Sequence, residues 1–377
     1  MNQRHAAWCS LAVIFLIGCS GGDPPPNQTI NPVLPDTNDR DDTPAVPAND
    51  SSSSDSSTPK HEPSDTTPIP APPALTAQQK ALRELLSKLA HHDGISWQID
   101  PNAKQQLATA ARDAIDDVVA AMSDESSDVR RGAVFFLLER IDPNHAEMMK
   151  GFQSTLADDD KNIRHLSLTA FKRMPDDAIG AAAKQLLALL ERKDESSSNR
   201  ASVARLLAKL DSHAAEILPA ISKYARSDAD DAVRKACLLA VARLADPADA
   251  LPLFRHTLTS ETDASLRRVA ADRLRLLGVE AAPAAKDLAS ALDDSDEQVR
   301  TAARNALAEI GPPAVEPLIA QLTAKNPRTR ALAVFCLGKL GSAAKPAVLE
   351  ISKRFEDEDE EVRELAKRVV EVIRAAP

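Results

Sequence analysis

Glycine is scarce: only 11 occur in 377 residues. No two or three of them are spaced as a Walker loop, a dinucleotide fingerprint or a Gly-x-Ser-x-Gly elbow, so phosphate-cradling and esterase chemistry are excluded. Cysteine is rarer still, with Cys9 and Cys19 near the start and Cys237 and Cys336 far apart in the body. The latter pair is expected to lie well beyond the roughly 7 Å between Cα atoms that a disulfide permits, which makes both core thiols. The chain also lacks clustered cationic charge. Of the net −10, residues 20–75 carry −7 (nine acids against two bases) and residues 1–19 carry +1, which leaves −4 for 76–377. A mildly acidic body argues against nonspecific binding to nucleic acid, which needs concentrated positive charge.

What is present is a period. Arg130, Arg164, Arg200, Arg234, Arg267, Arg300, Arg330 and Arg363 recur at spacings of 34, 36, 34, 33, 33, 30 and 33 residues, the interval of a helical repeat. The residue before the arginine is apolar except at Asn199 and Thr329. The seventh after it is always apolar, and the tenth is apolar except at Arg140. Steps of four, four and three make a helical stripe. Four residues before each arginine stand Ser126, Asp160, Ser196, Asp230, Asp263, Asp296, Asn326 and Asp359, each able to accept from the free amides of a helix start. Gly278, Gly311 and Gly341 follow the last apolar position, and a left-handed C-cap is expected there. The arginines are read as structural anchors, one in the second helix of each repeat.

The Asp-x-x-Val-Arg-x-x-Ala pattern ending in Ile/Leu-Gly, best preserved in residues 296–311, is similar to the second helix of a HEAT repeat of the short phycobilisome-lyase-like subtype. The resemblance covers about residues 101–377. It implies paired antiparallel helices stacked into a superhelix, an all-α solenoid of about eight pairs. Partner helices are expected at roughly 103–122, 144–157, 176–191, 213–226, 248–259, 280–292, 313–324 and 343–355, with Pro219, Pro252, Pro283, Pro317 and Pro346 near their starts. The stretch Thr76 to Ala90, with Leu82, Leu85, Leu86 and Leu89 at helical spacing, is expected to cap the first repeat. His91, His92 and Asp93 follow on what reads as a loop, where solvated histidines outweigh metal binding.

Residues 1–19 read as a signal peptide, with Arg4 ahead of an apolar core from Ala6 to Ile17. That core is too short for a bilayer, which needs about 20 apolar residues. Leu16-Ile17-Gly18-Cys19 resembles a bacterial lipobox, and the resemblance implies palmitate-type acylation of Cys19 after cleavage. An ordinary secretory signal that happens to contain a cysteine is the alternative. The implied location is the envelope, on the periplasmic side of the outer or inner membrane, with lipid as the only membrane contact. Residues 20–75 hold 13 of the 26 prolines and few large apolar side chains, so they are expected to form a disordered tether. The solenoid domain then occupies 76–377.

Two enzyme readings follow from the family resemblance. A deoxyhypusine hydroxylase would imply iron held by repeated His-Glu pairs, yet the single such pair is His61-Glu62. A bilin lyase would work in the cytoplasm, against the lipobox. No catalysis, cofactor, metal or small-molecule substrate is therefore expected, although a divergent lyase-like enzyme or enzyme subunit using the superhelical groove stands as the alternative. The favoured reading is a scaffold for a protein partner. In HEAT-like solenoids the second helix usually lines the concave face. At 100° per residue, positions one, five and eight after each anchor point away from the core. They supply Arg131, His165, Lys172, Arg205, Lys235, Arg268 and Arg275, opposed by Asp272, with Phe135 and Phe335 at the same outward position. This ridge is the candidate surface for an acidic partner.

Overall fold

The computed structural model describes residues 74–93, 96–111 and 113–377. The expectations for residues 1–73, including Cys19 and nearly all of the 20–75 tether, lie outside them. Chain order gives α1 (Ala77–Leu89), the hairpin β1 (Ala90–His92) and β2 (Trp97–Ile99), then α2 (Pro101–Ala110) and α3 (Ile115–Ala120) ahead of the first anchor helix, α4 (Ser127–Leu137). The next repeats are α5 (Ala146–Thr155) with α6 (Lys161–Phe171), and α7 (Asp176–Ala181) plus α8 (Ala183–Glu191) with α9 (Ser197–Leu207). After them come α10 (Ala214–Ser227) with α11 (Asp231–Leu244), and α12 (Pro247–Ser260) with α13 (Ala264–Leu277). The stack ends with α14 (Ala285–Ser290) before α15 (Glu297–Ile310), α16 (Val315–Gln321) before α17 (Pro327–Leu340), and α18 (Val348–Ser352) before α19 (Glu360–Ala375).

Each anchor helix begins one residue after its polar cap. The side chains of Asp160, Ser196, Asp230, Asp263, Asp296, Asn326 and Asp359 accept from amides of the first turn. Ser126 caps by position without a side-chain bond. The three glycines do take positive φ, at 56°, 75° and 56°. Their ψ values near −130° differ from a left-handed helical cap. They occupy the mirror image of the extended region, which only glycine enters readily, because the chain must turn at once into the next helix.

The partner helices are less regular than expected. Pro283 and Pro346 sit in 3₁₀ segments that precede short α turns. Pro219 and Pro252 fall inside α10 and α12 rather than at their starts. A proline has no amide to donate to the carbonyl four residues back; α10 and α12 run on through theirs as 14-residue helices, whereas at Pro283 and Pro346 a 3₁₀ segment stands in place of the first α turns. Residues Pro327–Glu356 are long and apolar enough, by length and composition, to cross a membrane. Gly341 instead turns the chain, and both halves pack against α19.

One continuous apolar core runs through the stack. Cys237 and Cys336 are buried in it as free thiols, and burial raises each to about 12. At the N-terminal end α1 lies against α4 and buries Leu82, Leu86 and Leu89, with Leu85 half-buried. Thr76 and Gln79 form a reciprocal capping box. The two helices touch at Gly132, where a Cβ would stand 2.0 Å from the Leu86 carbonyl oxygen. Any side chain there would force the helices apart. His91 and His92 lie on β1 rather than on a loop, paired with Gln98 and Trp97. The His92 and Trp97 rings meet edge to face, which spends the imidazole on packing.

Candidate functional site

The anchor arginines do more than mark a column. Nε and Nη2 of Arg130 donate to both carboxylate oxygens of Asp158, a residue of the following repeat. The same two-pronged contact joins Arg200 to Asp228, Arg234 to Glu261, Arg267 to Asp294 and Arg330 to Asp357, with distances between 2.5 and 3.0 Å. Arg164 reaches Glu195 through Nε, with both side chains almost wholly buried. The remaining nitrogen, Nη1, donates to carbonyls in the loop before each arginine's own helix, those of Asp124 and Glu125 for Arg130. Asp158 therefore ties two repeats together. Its carboxylate holds the preceding arginine, and its carbonyl accepts from Arg164 of its own repeat.

This ladder begins earlier than the period indicates. Arg83 on α1 grips Asp124 at 2.7 and 3.0 Å, so α1 performs the work of an additional anchor helix as well as covering the end. The hydrogen bond from Arg83 holds the Asp124 carboxyl below its ordinary 3.8, overcoming the opposing effect of burial. The backbone amide of Ser126 and the charges of Arg83 and Arg130 add to that depression.

The two polar exceptions in the apolar column also bridge repeats. Asn199 donates to Glu195 and meets Nδ1 of His165 at 2.9 Å. Thr329 donates to Asp293 of the preceding repeat, as does Asn326. Arg140, the break in the third column, lies over the Phe136 ring at 3.9 Å and donates to the Phe136 carbonyl.

The expected ridge separates into several environments. Arg131 is buried, ion-paired with Asp128 at 2.7 Å and Asp160 at 3.3 Å, so it is no part of an open surface. Position one faces the next repeat: His165 meets Asn199, and Arg268 donates to Gln298. The angle of an isolated helix omits the neighbour that covers its flank in a stack. Lys235 and Arg275 are half-buried, while Lys172 and Arg205 are exposed. Partial desolvation and then the charge of Arg205 pull the Lys172 ammonium below its ordinary 10.5. Phe135 packs on Trp97 with ring centroids 6.2 Å apart. Phe335 is half-buried, with Arg304 and Lys339 over its ring at 5.3 and 5.5 Å.

Residues 183–275 and 285–371 match the family model for HEAT repeats. These are HEAT repeats. They contain the anchors from Arg200 to Arg363, and the same ladder extends the pattern back through Arg164 and Arg130. Among solved structures, the karyopherin Kap121p bound to the SUMO protease Ulp1p is similar at 15% identity over 78% of this chain and 37% of that one, with a TM-score of 0.51. YibA of Escherichia coli is 15% identical over 81% of this chain and 100% of its own, with a TM-score of 0.42. Human deoxyhypusine hydroxylase is 22% identical over 71% and 99%, with a TM-score of 0.29. No curated protein sequence matches this chain. Among the described residues, no three His, Cys, Asp or Glu side chains are grouped to hold a metal ion.

Proposed function

We propose that the protein is a noncatalytic scaffold, held at a bacterial envelope membrane by lipid on Cys19, whose HEAT solenoid binds an acidic protein partner. The observation that carries the binding surface is the pair Lys172 and Arg205. These cations sit on neighbouring anchor helices, close enough for one to depress the other's pKa, and no carboxylate among the described residues lies within ion-pair distance of either. Like charges left together cost stability in the free protein, and an acidic surface would relieve that cost and be steered toward it. Kap121p, whose fold is similar, is itself seen bound to a protein.

The membrane part rests on Leu16-Ile17-Gly18-Cys19 and on the proline-rich, acidic residues 20–75 that follow. One acyl chain binds a bilayer only marginally, and two or more make the attachment durable. A tether of this length would let the solenoid reach about 40 Å from the surface.

Replacing Lys172 and Arg205 together by glutamate is expected to abolish crosslinking of the full-length protein to its envelope partner while leaving thermal stability within a few degrees. Undiminished crosslinking would reject this surface. Cys19→Ala is expected to eliminate incorporation of radiolabelled palmitate and release the protein from membranes. A wild-type protein that is soluble and unacylated would reject the anchor.

A further inference from the structure

The ladder has one gap. The acid that receives each arginine stands six residues before the next anchor, as in Asp158, Asp228, Glu261, Asp294 and Asp357, or five before it in Glu195. Ahead of Arg330 those positions hold Ala324 and Lys325. Arg300 therefore keeps its contacts to the loop carbonyls of Asp294 and Ser295, but no carboxylate among the described residues meets its Nε and Nη2. The acid at this joint, Asp293, accepts from Asn326 and Thr329 instead. Asp294, whose carbonyl accepts from Arg300, has its carboxylate held by Arg267.

A cavity of about 260 Å³ opens beside the unmet guanidinium, lined by Glu297, Arg300, Thr301 and Arg304 of α15 and by Arg328 and Leu332 of α17. None of its three arginines forms an ion pair among the described residues. Its single carboxylate, Glu297, is exposed and paired with none of them. Arg304 lies over the Phe335 ring at 5.3 Å. Six other anchors, Arg83 included, present the same fork to a carboxylate and receive it with two parallel hydrogen bonds. That geometry suits a planar carboxylate.

We infer that the cleft between α15 and α17 is a binding site for a carboxylate supplied from outside the fold, an aspartate or glutamate side chain of an acidic peptide. The incoming group meets the Arg300 fork that no acid of the chain holds. Arg304 and Arg328 stabilise it from the open side, while Leu332 contacts the aliphatic part of the peptide side chain. The surface at Lys172 and Arg205 lies several repeats away, so this site does not depend on it.

Calorimetric titration of the full-length protein with N-acetyl-tetraglutamate amide tests the assignment, with the tetraglutamine analogue and inorganic phosphate as controls. Tetraglutamate is expected to bind at one site per chain, and the glutamine peptide not at all. Arg304→Gln with Arg328→Gln should weaken binding at least tenfold. Ala324→Asp fills the vacancy from within, so it should weaken binding at least tenfold while raising the melting temperature. Lys172→Glu with Arg205→Glu should titrate like the wild type. Absence of wild-type binding, unchanged affinity in the Arg304/Arg328 variant, loss in the Lys172/Arg205 variant, or tighter binding of phosphate than of peptide would each overturn the assignment. Should Ala324→Asp melt lower than wild type, the Arg304/Arg328 variant still decides the matter, since those side chains serve no ladder pair.

Discussion

At Arg164 the ladder is most deeply buried. Its side chain and that of Glu195 are 1% and 0% exposed, and Glu195 also accepts from the Asn199 side chain and the Ser196 amide. A guanidinium in such a place depends on its counter-charge. Removing one partner of a buried pair costs about 3–5 kcal/mol, whereas exchanging both for apolar groups of similar volume is often neutral. Glu195→Ala should accordingly destabilise the protein by about that amount in urea unfolding, and Arg164→Met combined with Glu195→Leu should recover much of the loss. A cost no larger than the roughly 0–1 kcal/mol typical of surface ion pairs would show that the ladder is ornamental. The column of arginines was legible in the sequence, but their partners were missed. Their signal is an acid six residues before most anchors, which belongs neither to the apolar columns nor to the caps because the charge pair it makes spans two repeats.

For single helices, sequence reasoning worked where the physics is local. A side-chain cap fixes the start of seven of the eight anchor helices, and alternation of apolar and polar positions fixes the face that is buried. It failed where a neighbouring repeat decides. Arg131 looks outward from α4 taken alone, yet α6 and its cap Asp160 cover it. Arg83 was invisible as an anchor because the hairpin and α2 lengthen its loop, placing Asp124 41 residues away against 27 to 31 for the other pairs. Gly311 offers a clean test of local control. A Cβ there would meet nothing within 4 Å, but φ is 75°. The whole cost of Gly311→Ala must then be backbone strain, about 1–3 kcal/mol, without any loss of packing. Thermal melting should register that drop, and a neutral substitution would mean that the turn between α15 and α16 can be made another way.

At the scale of the whole solenoid, three carboxylates of the ladder, Asp124, Asp294 and Asp357, couple stability to acidity. Hydrogen bonding from Arg83 lowers the pKa of Asp124. At Asp294 and Asp357 burial pushes upward most strongly, but the Arg267 and Arg330 hydrogen bonds, backbone amides and nearby charges together outweigh it. All three native values lie below the ordinary 3.8. As pH falls through 3.8 the unfolded chain therefore takes up protons that the native chain refuses, and folding stability declines. The melting temperature should stay level with respect to these groups from pH 7 to 5 and drop below pH 4. A melting temperature that is unchanged at pH 3 would contradict the coupling.

Seen in time rather than in space, the ladder has a direction. From Arg130 onward, each arginine that holds an acid reaches forward, to one 27 to 31 residues later in the chain. No closing contact waits for a distant segment. The chain entropy lost in closing such short loops is modest and nearly the same for each, and folding that relies on near neighbours is fast for its size. Each new length of about thirty residues can thus lock the one before it as soon as it has formed, so the protein can fold progressively from its N-terminal side, as a zip closes one tooth after another.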